Sequence, residues 1–232
     1  MKRVLIKLSG EALAQKSGKL YDADFVNKVA SVLKQAADEG FQVAVVVGAG
    51  NIWRGREGTD MDRTAADRMG MLATVMNSIY LKDALLRAGA RANVFSAVPM
   101  VPFAEVYSAE AAVAALEAGN IVIFGAGLGI PFVSTDTAGA VRAAEIGADA
   151  MLMAKNIPYI YDDDPNKNAN AQRFTEIKAS EVLARNLKAI DATATAFCLS
   201  GGMPIRVFGF TEPDSILAAL KGDALGTIVY PE

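Results

Sequence analysis

Short apolar runs with almost no polar alternation most constrain what this chain can fold into: VLIKL at 4–8, QVAVVV at 42–47, IVIF at 121–124 and DAMLMA at 149–154. Half-exposed strands alternate polar and apolar residues, whereas strands this uniformly apolar are covered on both faces, as in parallel sheets. Between the runs lie segments of helical periodicity, predicted at about 22–39 and stopped by Gly40, at 62–87 ending before Gly89, near 108–118, and from Ser134 onward. The rhythm is βαβ, so the expected fold class is α/β, a three-layer sandwich around a mostly parallel sheet.

Further strands are expected at ANVFSAV, IRVFGF and the closing GTIVY, with helices near 179–186 and 191–199. TEPDSILAALKG carries a capping signature from Thr211 to Asp214 and a Gly222 stop. YDDDPNKNANAQ, at 161–172, is polar and turn-rich and reads as a loop or lid. With neither linker nor repeat, residues 1–232 are expected to form one domain, its two lobes sharing a sheet and dividing near 154–160.

Composition narrows the chemistry, because the 232 residues include no histidine and one cysteine, Cys198. Histidine bases, Ser-His-Asp triads, histidine or cysteine metal sites and internal disulfides are excluded together. Lysine, arginine, carboxylates, hydroxyls and backbone amides remain, with a hard cation such as Mg²⁺, and phosphoryl transfer suits that inventory. A net charge of −3 gives no general attraction to nucleic acid. The first apolar run is cut by Lys7 and no segment reaches the ~20 apolar residues of a membrane span, so a cytosolic protein is expected, with Cys198 as a core residue.

In open α/β sheets ligands gather at the carboxyl ends of strands, where helix N-termini offer free amides. Four such junctions stand out. KLSGE presents Lys7, Ser9 and Gly10, and Lys7 either faces an anion or snorkels to solvent. GAGNIWRG offers Gly48 and Gly50 for close backbone approach and Arg54 as a cation, with Trp53 read as a packing residue. In DRMGMLATVMNS, Asp67 either accepts from sugar hydroxyls or complements a helix start. FGAGLGIPFVSTDTAG joins a glycine loop to a helix start, an anion-binding nest in which Asp136 requires a neighbouring cation, Lys7 or Mg²⁺, or else serves the helix dipole beside a Ser134 or Thr135 cap.

Taken in order, KLSGEAL, GAGNIWRG, DRMGMLATVMNS, PFVSTDTAGAVRAAEIGAD, YDDDPNKN and PIRVF resemble the bacterial UMP kinases of the amino-acid kinase fold family over nearly the whole chain. The resemblance implies transfer of the ATP γ-phosphoryl to UMP with Mg²⁺, in pyrimidine nucleotide synthesis. It implies that Lys7, Leu8, Ser9, Gly10, Gly50 and Arg54 meet ATP, with Lys155, Asn156, Tyr161 and Asp164 on its far side. UMP would be met by Ala49, Asp67, Gly127, Leu128, Gly129, Ile130, Pro131, Phe132, Val133, Ser134 and Thr135. Lys7, Arg54 and Asp136 take the catalytic roles, and no protein metal-ligand set is implied. Residues 1–154 would form the acceptor side and 155–232 the ATP side of a homohexamer, inhibited by UTP and often activated by GTP, with a regulatory site near 15–20 by analogy.

The chain departs from that pattern at Leu128 and Ile130, where the family usually has threonine and asparagine, at Ala49 for a glycine, and at Ile157-Pro158-Tyr159, one residue shorter than usual. Lost side-chain hydrogen bonds to UMP would cost ~0.5–1.5 kcal/mol each, and backbone contacts would cost little. These departures keep open a nucleotide-binding protein with poor turnover. Another kinase of the same fold, acting on a carboxylate or carbamate, is opposed by DRMGMLATVMNS, and a Rossmann dehydrogenase by the lack of GxGxxG after the first strand.

Overall fold

The computed structural model describes residues 2–14, 19–53 and 60–232. Its N-terminal part runs β1 (Arg3–Leu8), α1 (Gly10–Ala14), α2 (Ala23–Asp38), β2 (Gln42–Val47), α3 (Arg63–Arg87), β3 (Ala92–Ser96) and β4 (Glu105–Val106). There follow α4 (Ala109–Glu117), β5 (Ile121–Gly125), α5 (Thr135–Glu145), β6 (Ala150–Lys155), and a small hairpin of β7 (Ile160–Tyr161) and β8 (Arg173–Phe174). The chain closes with β9 (Glu176–Lys178), α6 (Ala179–Ala184), α7 (Ala192–Gly201), β10 (Ile205–Gly209), α8 (Ser215–Lys221) and β11 (Thr227–Tyr230). No helix among the described residues is long and apolar enough to cross a membrane.

Among the described residues nine strands form one sheet in the order β4-β3-β5-β2-β1-β6-β10-β11-β9. Neighbours are parallel except β10 and β11. The central strands are buried on both faces, as their unbroken apolar runs require. Val4, Ile6 and Leu8 pack with α2, α3 and α8 on one face, while Leu5, Met151 and Met153 pack with α4, α5, α6 and α7 on the other. The result is three layers, with β6 joining the two halves of the sheet.

Helix boundaries follow local chemistry. Asp22, Asp62 and Ser108 accept from Phe25, Ala65 and Ala111 amides at 3.1 Å, capping α2, α3 and α4. The capping signature at Thr211 to Asp214 is corrected: α8 begins at Ser215 after Asp214, whose side chain makes no cap. Ser215 N and Ile216 N bond instead to the carbonyls of Glu212 and Pro213, so a tight turn supplies the acceptors. The polar segment after β7 is bridged by β8, with Asp162 N donating to Gln172 O at 3.0 Å.

The turns after β1 and β2 are held in contact. Gly48 N donates to Leu8 O at 2.9 Å, and buried Asn77 of α3 donates to Gly48 O at 2.7 Å and exchanges hydrogen bonds with Asn51. A Cβ on Gly10 would lie 2.4 Å from Gly48 O and 2.7 Å from Gly50 N, both backbone atoms that cannot swing aside. Gly10→Ala is therefore expected to lose about 1–3 kcal/mol of unfolding free energy, as overpacking does. Urea denaturation checks this, and an unchanged midpoint would mean that the two turns do not meet so closely.

Candidate active site

Strand parity brings two lysines onto one face. In β1 Lys7 shares the orientation of Leu5, and in β6 Lys155 shares that of Met151 and Met153, all toward α5. Gly139 of α5 stands against Met151 and Leu5, so this helix rides close to the sheet and its first turn overhangs the strand ends. Ser134 caps it, accepting from the amides of Asp136 and Thr137 at 3.1 Å. That geometry puts Asp136 between the lysines: Oδ1 is 2.9 Å from Lys7 Nζ and Oδ2 2.5 Å from Lys155 Nζ.

Burial alone would raise the Asp136 carboxyl, but the ammonium groups of Lys7 and Lys155 hold it below the ordinary carboxylate range. Burial pushes Lys155 down, against the pull of Asp136, with Lys7 adding repulsion. The Asp136 carboxylate serves two ammonium groups, Lys7 buried and Lys155 half-buried, so the trio carries one positive charge in surplus, part of which the Asp191 carboxylate offsets at Lys155. Such a surplus in a place of restricted water is relieved by an anion.

The cluster closes one end of a cavity of about 390 Å³. Ser134 and Thr135 line the same end, Ala49 and Gly50 the middle, Asp67 the α3 side, and Gly127, Leu128, Ile130 and Val133 the β5 side. Thus twelve of the residues singled out in the sequence share this cavity, counting Lys7, Asp136 and Lys155. Leu8 is buried in the core on the opposite face, so only its backbone reaches this edge. Ser9, Gly10, Gly129, Pro131 and Phe132 border the cavity without lining it, and Asn156 Nδ2 stands 3.4 Å from Glu11 Oε2, on the rim. Tyr161 and Asp164 line a second cavity, of about 480 Å³, which Ile157 joins two residues beyond Lys155. Arg54 and positions 15–18 lie outside the described residues.

The loop from Ala126 to Val133 is conformationally demanding. Ala126 and Phe132 have φ of 60° and 66°, and Gly127 and Gly129 have 58° and 76°. A non-glycine residue in this region is strained and needs external support. Helix α3 supplies it: Thr74 Oγ1 accepts from Ala126 N at 2.9 Å, and Asp67 Oδ2 accepts from Phe132 N at 2.8 Å. Arg63 Nε donates to Asp67 Oδ1 at 2.9 Å and its guanidinium lies over the Phe132 ring. Behind the loop, buried Arg142 stacks on Tyr107, pairs with Glu145, and directs Nη2 toward Gly127 O at 3.4 Å. Burial, chiefly, and the hydrogen bond to Glu145 push the Tyr107 hydroxyl up to about 12.

Sequence reasoning missed Asp191. It caps α7 through Ala194 N at 2.7 Å and also accepts from Ser134 Oγ and, at 2.9 Å, from Thr137 Oγ1. One carboxylate therefore ties two helix N-termini together. Only its local capping role carried a signal, as the first residue of a predicted helix. Thr74 and Asn77 sat inside a quoted motif, but nothing in their spacing indicated which loops they hold. Trp53 lines the cavity and donates Nε1 to Ala66 O at 2.9 Å, as a packing residue tied to α3. Cys198 is buried, donates to Met203 O, and has its thiol pushed up to about 11 by burial, so it is an inert core residue.

Residues 2–209 match the amino acid kinase family, and the chain belongs to it. Within that family it is similar to the crystal structure of UMP kinase from Bacillus anthracis, at 35% identity and TM-score 0.95 over 100% of this chain and 96% of that one. It is also similar to UMP kinase from Ureaplasma parvum, at 36% identity and TM-score 0.93 over 99% and 98% of the two chains. Uridylate kinase from Archaeoglobus fulgidus, at 24% identity and TM-score 0.76 over 99% and 100%, shares the fold.

Removing the carboxylate tests the cluster. Asp136→Asn leaves buried Lys7 and half-buried Lys155 without their shared counter-charge, a change expected to cost up to about 3–5 kcal/mol at pH 7. The folded carboxyl titrates below the unfolded one, so its stabilisation is present above about pH 4 and lost as pH falls through the folded value. The gap between wild type and variant should narrow on acidification, and adding Lys155→Met should restore part of the loss. Urea melts from pH 7 to 3 check both, and a constant gap would deny the pairing.

Proposed function

We propose that the protein is an ATP-dependent UMP kinase, passing the γ-phosphoryl of ATP to UMP to give UDP and ADP. The observation that carries this reading is the surplus-positive Lys7–Asp136–Lys155 cluster at the end of a cavity of nucleotide size. The similarity to two UMP kinases at 35% and 36% identity supplies the acceptor.

In the proposed mechanism an oxygen of the UMP phosphate attacks the γ-phosphorus. A new P–O bond forms as the bond to the bridging oxygen breaks, and ADP leaves with the electron pair. The attacking oxygen is already anionic, so no base is required and the absence of histidine is no handicap. Lys7 and Lys155 neutralise charge spread over the equatorial oxygens, and Asp136 holds both ammonium groups in register. The N-terminal end of the α5 dipole points the same way, Asp67 faces the ribose hydroxyls, and Arg54 completes the charge on the ATP side by resemblance.

No group of three or more acidic, histidine or cysteine side chains able to hold a metal occurs among the described residues. Mg²⁺ would enter with ATP, near Asp136, and its charge would ease the approach of two anions. ATP would extend from the cluster over Asn156 to Tyr161 and Asp164, making residues 155–232 the donor side and 1–154 the acceptor side. A cytosolic homohexamer serving pyrimidine nucleotide synthesis, inhibited by UTP and activated by GTP, completes the reading by analogy.

The test is a coupled assay with MgATP in which UMP, CMP, dUMP, aspartate, glutamate and carbamate are offered separately. UMP is expected to give the highest kcat/KM, and Lys7→Ala to lower kcat about 10²–10³-fold. Binding of UMP without phosphorylation of any acceptor would replace the kinase by a nucleotide-binding protein.

A further inference from the structure

The cavity has a direction that the sheet imposes. Lys155 ends β6, Lys7 lies in β1, Ala49 and Gly50 follow β2, and the Gly127–Val133 loop follows β5, and these strands are consecutive neighbours. At ~4.8 Å per strand the loop lies about 14 Å from the β6 edge. Gly129 sits against Ala97, just beyond β3, so the loop forms the far wall. With phosphate at the cluster, the nucleobase of a bound monophosphate must meet this wall.

The hydroxyls near that wall are already engaged. Thr74 Oγ1 donates to Met71 O and accepts from Ala126 N. Ser96 Oγ donates to Val98 O and accepts from Val98 N. Ser134 Oγ donates to Asp191 and accepts two amides, and Thr135 stands beside the cluster at the other end. Asp67 and Arg63 hold each other at the first turns of α3. The side chains that Leu128, Ile130, Val133 and Met71 bring to the cavity are hydrocarbon or thioether, and Ile130 is 53% exposed, free to be covered by a ligand.

We propose that this acceptor wall reads the base through backbone groups and apolar contact, so that the enzyme takes pyrimidine nucleoside monophosphates carrying a small apolar group on ring carbon 5 as well as UMP itself. The inference rests on the UMP kinase reading and uses the same transfer. A hydrogen-bonding side chain at Leu128 or Ile130 would draw water to the wall and penalise a methyl group laid against it. The hydrocarbon instead gains from covering one, by up to about fourfold per methyl.

The experiment compares kcat/KM for 5-methyluridine 5′-monophosphate and UMP, in wild type and in Leu128→Asn and Ile130→Asn, with calorimetric binding of both nucleotides in parallel. In wild type the ratio of methylated to plain acceptor is expected between one and about four. In at least one variant it should fall severalfold, whatever happens to UMP turnover itself. A methylated acceptor more than about tenfold poorer than UMP in wild type overturns the inference, as does a ratio that neither variant moves. If UMP is bound but not phosphorylated, the kinase reading fails separately, and the ratio of the two binding constants decides the apolar wall on the same criteria.

Discussion

One carboxylate shared by a buried and a half-buried lysine is the constraint on which the rest of the site depends. Asp136 cannot be withdrawn from water without compensation, and neither can Lys7, while Lys155 keeps part of its side chain in solvent. The trio is one positive charge in excess. Its structural cost and the phosphate affinity proposed for it therefore have one origin, seen without and with an anion. That arrangement requires β1 and β6 to be adjacent and in register, with Lys7 opposite Met153, and α5 to begin directly above them. A register slip of one residue in either strand would turn its lysine into the opposite core layer.

The second dependence is on α3, a helix that contributes little to the charge and much to the shape. Its Thr74 and Asp67 hold two strained residues of the loop after β5, and its Asn77 holds the turn after β2. Each contact fixes backbone that would otherwise relax out of sparsely populated conformations. The helix is thus a template: the strands bring the ends of the cavity into line, and α3 sets the two loops between which a ligand must fit. Arg142, stacked on Tyr107, backs the same loop from the other layer.

Much of the fold was legible because its signals are local. Unbroken apolar runs marked buried parallel strands, and Asp22, Asp62 and Ser108 marked helix starts within a residue. The signature at Thr211 failed for an equally local reason, since the turn through Pro213 satisfies the backbone before the helix begins. Within the site, the need of Asp136 for a cation could be reasoned from the helix start and the glycine loop before it. That both lysines serve it could not, because the pairing of β1 with β6 joins residues some 150 positions apart. Asp191 shows the limit most clearly: its cap to α7 is written in adjacent residues, whereas its hold on Ser134 and Thr137 exists only once α5 and α7 have packed.

The departures of the acceptor loop acquire a physical meaning from this arrangement. Leu128 and Ile130 lie between Ala126 and Phe132, the two residues that α3 pins by their amides. Since the loop is held by its backbone, its side chains can change without releasing the conformation that forms the wall. The cluster end has no such freedom, because Asp136 is the shared counter-charge of both lysines. On the proposed reading the site separates a charged end that would hold the phosphate from a wall whose side chains would set what the phosphate is attached to. Backbone anchoring is the condition that makes this separation possible, and it explains why Asp67 and Thr74, rather than the loop's own side chains, carry the burden of the loop's shape.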